Sequence, residues 1–193
     1  MKRYIPLLFL TLFLDSQIKA QSIWKIDPVH SSIQFDVTHL VVSTVTGKFA
    51  KFAGTVETEN GSFENAKVEA TLDVASINTE NLTRDKHLKQ DDFFNAEKFP
   101  KISFKSEFFK KVADNEYLLT GSLTIRDITK NVSMKAVHSG NVMIGSKTVA
   151  GFKVNFIINR FDYGLKWDDT LDSGSLVVGE NVDVSMNLEL TKE

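Results

Sequence analysis

Polar and apolar residues alternate along most of the chain. The clearest run is Ala66, Lys67, Val68, Glu69, Ala70, Thr71, Leu72, Asp73 and Val74. A strand turns successive side chains to opposite faces, so such a run has one dry face and one wet face. The pattern recurs at Ile33, Phe35 and Val37; at Ile102, Phe104 and Phe108; and at Tyr117, Leu119, Leu123 and Ile125. It returns at Val132, Met134 and Ala136, at Phe152, Val154, Phe156 and Ile158, and from Val182 to Leu190. Asn60-Gly61 suits a hairpin turn, Asp114-Asn115 and residues 127–130 separate further runs, and Gly145-Ser146 lies in a loop. Short turns between alternating runs imply antiparallel pairing. The expectation is an all-β fold of about eight antiparallel strands closed into a barrel.

Two segments break the alternation early. Residues 40–45 suggest a short helical turn, and residues 79–99 contain a helical stretch over about 82–91 before Pro100 opens the next strand. Residues 159–179 form a second irregular stretch with Arg160, Tyr163, Trp167 and an acidic cluster. The acidic group Asp168, Asp169 and Asp172 lacks EF-hand spacing and reads as a solvated loop.

The mid-strand charges decide which face points inward. Lys67, Glu69, Lys101 and Lys105 could not all fit inside eight strands, so the apolar face lines the interior. That is the reverse of a transmembrane barrel, and no stable membrane insertion is expected. The expected lining is Phe35, Val37, His39, Phe52, Leu72, Val74, Phe104, Phe108, Leu123, Met134, Phe156 and Met186. Gly54, Ala70, Gly121 and Ala136 share that register; they either leave space for a ligand or mark strand bends. An apolar tube selects apolar cargo.

Residues 1–20 stand outside the pattern. Lys2 and Arg3 precede an apolar run at 4–14, and a short polar stretch ends at Ala20, which reads as a secretory signal peptide. A single domain then spans 21–193, and the expected location is periplasmic or secreted. Removing three cations and one anion with residues 1–20 moves the net charge from −2 to −4. No basic stripe exists to attract nucleic acid. The chain has no cysteine, hence no disulfide, thiolate metal site or thiol nucleophile.

Asp27, His30 and Ser31 superficially suggest a triad, but no nucleophile elbow accompanies them, and they read as pinning the strand. The four histidines lack zinc-binding spacing, so no metal or other cofactor is expected. Arg84, His87 and Arg160 are the candidate head-group partners, because guanidinium grips phosphate with two parallel hydrogen bonds; the alternative is that the arginines pair with carboxylates such as Asp85 or Asp162 and lock loops.

The opening segment 27–39, Asp-Pro-Val-His-Ser-Ser-Ile-Gln-Phe-Asp-Val-Thr-His, resembles the first motif of the YceI-like, polyisoprenoid-binding family. Gly47-Lys48-Phe49 with Phe52 and Gly54, the 84–94 segment around Arg84, Asp85, His87 and Phe93, and residues 99–106 are similar to its following motifs. Residues 121–125, 160–164 and 178–182 complete the order. Asp127 departs from the glycine that many members carry in that turn.

The resemblance implies a lipocalin-like barrel binding a long-chain isoprenoid or acyl lipid in its lumen, for sequestration or transport, without catalysis. It also leaves a homodimer among the expected partners. The rival readings are an enzyme acting on a lipid-like substrate in the same lumen, with His39 as its titratable group, and an interaction protein whose lumen is packed solid.

Overall fold

A computed structural model describes residues 21–193. The segment read as a signal peptide lies outside the described residues. The alternating runs form eleven strands: β1 (Gln21–Ile26), β2 (Ser32–His39), β3 (Ser43–Phe49), β4 (Phe52–Glu59), β5 (Ser62–Asp73), β6 (Ile77–Asn78), β7 (Lys101–Lys111), β8 (Glu116–Ile125), β9 (Ile128–Ile144), β10 (Lys147–Asn159) and β11 (Val178–Lys192). One helix, α1 (Leu82–Leu88), follows β6. Every pairing is antiparallel, and the order β1-β4-β5-β7-β8-β9-β10-β11 closes on itself through β1–β11, giving an eight-stranded barrel.

The three remaining strands explain the excess over eight. β11 is long enough to serve two partners in series. Its end pairs with β1 through Leu190–Lys192, while its beginning pairs with β2 through Val178–Asn187. β3 adds to β2, and β6, which follows β5 through a 3-10 turn, adds to β3.

The corner between β1 and β2 is stapled to β11 at Glu189. Asp27 N–H donates to the Glu189 carbonyl, and Glu189 N–H donates to Ser31 Oγ at 2.8 Å. Asp27 Oδ1 accepts from Val29 N–H, and Asp27 Oδ2 lies 2.9 Å from His30 Nδ1. The apparent triad is therefore a strand corner with its polar groups satisfied.

Lys67, Glu69, Lys101 and Lys105 are exposed, and Lys105 pairs with Glu69 across β7–β5 at 2.9 Å. The apolar face turns inward and forms one core cluster. Asn60-Gly61 adopts left-handed φ at both positions, 52° and 75°, as a two-residue hairpin turn requires.

Several local expectations need correction. Residues 40–45 are not helical: Leu40 to Val42 make a tight turn, with Val42 N–H bonded to the His39 carbonyl, and β3 begins at Ser43. The helix is also shorter than 82–91, continuing after Leu88 as hydrogen-bonded turns through Phe99.

Phe108 is misplaced by the simple alternation. The β7–β8 register shifts between Ser106 and Phe108, a bulge that inserts one residue and reverses the faces beyond it. Phe108 is consequently 66% exposed and Phe109, at 4%, takes the inward position.

Gly54 and Gly121 do not leave room for cargo. A Cβ on Gly121 would lie 2.3 Å from the Lys105 carbonyl oxygen, and one on Gly54 would lie 2.6 Å from Ile26 Cδ1. Both mark close approach of neighbouring atoms. Gly47 has a related use: its missing side chain makes room for the Phe35 ring, whose Cζ would lie 2.2 Å from a Cβ there.

Candidate functional site: an apolar lumen and its vestibule

The barrel interior contains a cavity of about 190 Å³. Of the expected lining, Phe35, Val37, Leu72, Phe104, Leu123, Met134, Phe156 and Met186 border this space, as do Ala70 and Ala136. Four expected residues do not, and one of them, His39, borders a neighbouring cavity instead. Phe108 faces outward because of the bulge. Val74 has left the strand for the 3-10 turn and is buried in the surrounding core. Phe52, opposite Leu72 at the start of β4, is half-buried and packs on the core from outside the cavity.

The two ends of the tube differ. At one end, Trp24, Phe63, Phe109, Tyr117, His138 and Phe152 form a connected aromatic cluster, with Phe63 edge-on to Phe152 at 4.9 Å and His138 stacked on Phe152 at 4.8 Å. Trp24 Nε1–H donates to Thr58 Oγ1, so the indole nitrogen is satisfied where it is buried. This cluster plugs the barrel where β5, β8 and β10 begin.

The other end is covered by α1 and residues 89–99. Asn81 caps the helix by accepting from Arg84 N–H, and buried Asp85 accepts from both Thr79 N–H and Thr79 Oγ1. Phe93 stacks on Trp167 at 5.9 Å, which ties this cover to residues 160–179.

Between the cover and the β2–β3 hairpin lies a second cavity of about the same size. Its lining includes His39, Thr79, Arg84, His87 and Trp167. It shares Phe35, Val37, Leu88, Phe93 and Val178 with the lumen, so these five side chains form the boundary between the apolar tube and a vestibule whose largely apolar wall carries a few polar groups. The structure thus brings His39 together with Arg84 and His87, which lie far from it in sequence.

Their hydrogen bonds limit what each can offer. Arg84 donates Nε to Thr79 Oγ1 and Nη2 to the Thr79 carbonyl, both at 2.8 Å, leaving Nη1 without a protein acceptor among the described residues. His87 Nε2 lies 2.7 Å from Asp92 Oδ2, with Phe93 edge-on to its ring.

Arg160 behaves differently from Arg84. It borders the lumen but is buried, and its Nε, Nη1 and Nη2 donate to the carbonyls of Gly179, Leu165 and Val178. Burial holds its pKa below the ordinary guanidinium value. It pins residues 160–179 and does not pair with Asp162, so it is not an open head-group partner.

Arg126 was not visible as a functional candidate. It stands in the β8–β9 turn with φ 57°, and its Nη1 donates to the carbonyls of Asp91, Phe93 and Gly164. It clamps the cover to the 160–179 segment. No periodic or motif signal marks it, because its partners are backbone carbonyls remote in sequence.

Tyr163 also borders the lumen. Its hydroxyl is buried without a hydrogen-bond partner among the described residues, and burial pushes the phenol up to about 12.

Among the described residues, one group has metal-ligating chemistry: Asp27, His30 and Glu189 place their ligand atoms within 4.8 Å of one another. Their existing bonds offer another account. Hydrogen bonding from His30 holds the Asp27 carboxyl below its usual range, and the same bond raises the His30 imidazole. The His30 ring, 2.9 Å from Asp27 and 3.7 Å from Glu189, already partners both carboxylates of the corner.

A closed antiparallel barrel with an apolar lumen, plugged at one end and bordered by polar groups at the other, defines a lipocalin-like binding architecture. A family model for the YceI-like domain matches residues 24–190. The chain belongs to the YceI-like family. A UPF0312 protein of Staphylococcus aureus (strain N315) is 38% identical over 168 residues, covering 86% of this chain and 95% of the relative. A crystal structure of a Campylobacter jejuni YceI protein matches with TM-score 0.71 and 30% identity, over 81% of this chain and 90% of that one. The fold is also similar to a polyisoprenoid binding domain from Saccharophagus degradans, at TM-score 0.61 and 15% identity, covering 86% and 97% of the two chains.

Proposed function

We propose that the protein is exported and binds a polyisoprenoid or other long-chain amphiphilic lipid, sequestering it or carrying it through an aqueous compartment. The observation that carries this reading is the form of the interior: an apolar tube, closed by aromatic rings at one end, that meets a vestibule lined by His39, Arg84 and His87 at the other. The tail occupies the tube, and the polar end sits in the vestibule, where Arg84 Nη1 is available to an anionic or carbonyl oxygen. Family membership and the name of the Saccharophagus degradans domain support the same cargo class.

Binding without chemistry is favoured over turnover. The titratable groups bordering the lumen are Arg160, engaged by three carbonyls, and Tyr163, with a phenol pKa of about 12. Neither is a proton acceptor matched to neutral pH. His39 stands in the vestibule, on the last residue of β2.

Native mass spectrometry of protein purified from its own host, followed by lipid extraction, tests the reading. The expected result is a stoichiometric lipid with a long apolar chain, on a polypeptide starting near Gln21. A protein that neither co-purifies with such a lipid nor takes one up after delipidation would refute it. His39→Gln is expected to alter affinity modestly and leave the bound lipid chemically unchanged. Conversion of lipid by the wild type that disappears in this variant would establish the enzymatic alternative.

A further inference from the structure

We propose that Thr79 is a positioning residue that holds one edge of the Arg84 guanidinium, so that the opposite edge takes a cargo head with two equivalent anionic oxygens, a carboxylate or a phosphoryl group. The inference rests on the lipid-carrier reading above and names the class of head group.

A guanidinium carries five N–H donors in a planar fork. Thr79 occupies one edge of the Arg84 fork: Nε donates to its Oγ1 and Nη2 to its carbonyl, both at 2.8 Å. The other edge presents Nη1 and the second N–H of Nη2, and these have no acceptor among the described residues. Arg84 and Thr79 both border the vestibule. Two parallel N–H groups match the two oxygens of a carboxylate or phosphoryl group, whereas the single oxygen of an alcohol or amide leaves one of them unused.

The surrounding charges favour the same head. No carboxylate lines the vestibule or the lumen, and among the described residues none forms an ion pair with Arg84. Asp85, 7% exposed, accepts from Thr79 N–H at 2.8 Å and from Thr79 Oγ1–H at 2.6 Å. Asp92 is bonded to His87. Asp168, which follows Trp167, acts on Arg160, and Asp169 and Asp172 lie outside the lining of either cavity. The two imidazoles of the vestibule, His39 and His87, bring no negative charge.

Thr79 keeps this cation available. Its hydroxyl accepts from Arg84 and donates to Asp85, so it stands between a guanidinium and a carboxylate that would otherwise pair. A direct Arg84–Asp85 pair would neutralise the cation before any cargo arrived. Thr79 is 4% exposed and directly follows β6, which is paired to β3, so the sheet fixes the threonine whether or not cargo is bound.

The test is isothermal titration calorimetry of the delipidated protein with dodecanoate, dodecyl phosphate and dodecanol, which share one tail and differ in head. Head preference is the affinity for the tighter anion divided by that for dodecanol. It should be about tenfold or more in the wild type. Arg84→Met should abolish it while changing dodecanol affinity by less than about threefold. Thr79→Val should lower it by about fivefold or more, because Asp85 then takes the guanidinium, and Thr79→Ser, which keeps the hydroxyl, should stay within about twofold of the wild type. Thr79→Val/Asp85→Asn should recover most of the preference, since no carboxylate remains to capture Arg84. A threonine that merely stabilised its corner would not be rescued in this way.

A wild type without head preference, or a preference that survives Arg84→Met or Thr79→Val, overturns the proposal. So does a folded double variant no better than Thr79→Val, folding being read by circular dichroism. If Thr79→Val does not fold, Arg84→Met and Thr79→Ser decide: the preference must be lost in the first and kept in the second. Preference for dodecanoate alone assigns a carboxylate head, and for dodecyl phosphate alone a phosphoryl head. Dodecanol binding without head preference rejects this inference alone, whereas a wild type that binds none of the three rejects the carrier with it.

Discussion

Ala136→Phe should change which chain lengths the protein accepts. Ala136 lies on β9 between Tyr117 of β8 and Val154 of β10, is buried, and borders the lumen close to the aromatic plug. A phenyl group there raises the floor of the tube while leaving the vestibule untouched. Overpacking itself costs about 1–3 kcal/mol of stability, which a folded barrel can absorb. The effect on cargo is different in kind. If the ring displaces roughly three or four methylenes worth ~0.8 kcal/mol each, a tail long enough to reach the floor loses about 3 kcal/mol, on the order of a hundredfold in affinity. A tail that stops short of the floor loses nothing. The assay is competition between lipids that share one head group and differ in chain length, measured on wild type and variant after circular dichroism has established that both are folded. The long-chain competitor should weaken by about a hundredfold and the short one by less than about threefold. An equal loss at all lengths would mean that the ring had disrupted the barrel, and no loss at any length would mean that the tail does not enter the tube.

Other expectations follow from particular contacts. Phe109→Ala should cost about 3–5 kcal/mol in chemical denaturation and Phe108→Ala less than about 0.5, because the bulge buries one and exposes the other; equal costs would contradict the register. Tyr163→Phe should be neutral or stabilising by about 1 kcal/mol in the same assay, since it removes a buried hydroxyl that has no partner. His30→Gln should lower the melting temperature more at about pH 5.5 than at about pH 8, and an equal loss would count against the corner assignment. The sign follows from the two shifts. The raised His30 pKa contributes stability below its ordinary value of 6.5 that is lost as pH rises through the folded value, while the lowered Asp27 pKa contributes stability above 3.8 that is lost as pH falls through its folded value. Arg126→Met should accelerate hydrogen exchange in residues 89–99 and at Gly164, with the barrel strands unaffected, because the guanidinium holds carbonyls of both segments.

The sequence revealed the barrel more fully than its details, for a physical reason. A period of two is a property of every half-buried strand, so strands β5, β7, β8, β9, β10 and β11 were each visible alone, and the charges at Lys67, Glu69, Lys101 and Lys105 oriented the sheet. A bulge leaves no such mark. Phe108 and Phe109 are both aromatic, and only the pairing partner in β8 decides which points inward. The β2–β3 turn escaped detection because Leu-Val-Val carries none of the residues that ordinarily make a tight turn. The inward glycines were open to two readings, and the close approaches at Gly54 and Gly121 decide for backbone packing over cargo space. The polar residues divided similarly. His39, Arg84 and His87 converge because α1 folds over the end of β2, whereas the three carbonyls that occupy Arg160, and the three that occupy Arg126, come from segments that no sequence pattern connects.

The partition of the arginines bears on where selectivity must lie. A lipid tail leaving water gains ~0.8 kcal/mol per methylene in an apolar tube, but it gains nearly the same in a bilayer. For a carrier that trades with membranes, the tail contribution therefore largely cancels, however well the lumen is packed. Discrimination between cargoes then falls on the parts of the site that a bilayer does not imitate. One is the rigid floor made by Phe63, Phe109 and Phe152, which sets a length that a fluid bilayer does not impose. The other is the vestibule. Three guanidinium groups stand near the covered end, but Arg126 and Arg160 have donated to carbonyls that hold the cover and the 160–179 segment in place. Arg84 alone among these three keeps Nη1 without a protein acceptor in a cavity that also contains His39 and His87. On the proposed carrier reading, a positive group so placed favours cargo with an anionic or strongly accepting head, and the tube below it favours a tail of limited length. Selection by both requires one amphiphile to satisfy two fixed constraints at a set distance, which a bilayer does not ask of any lipid.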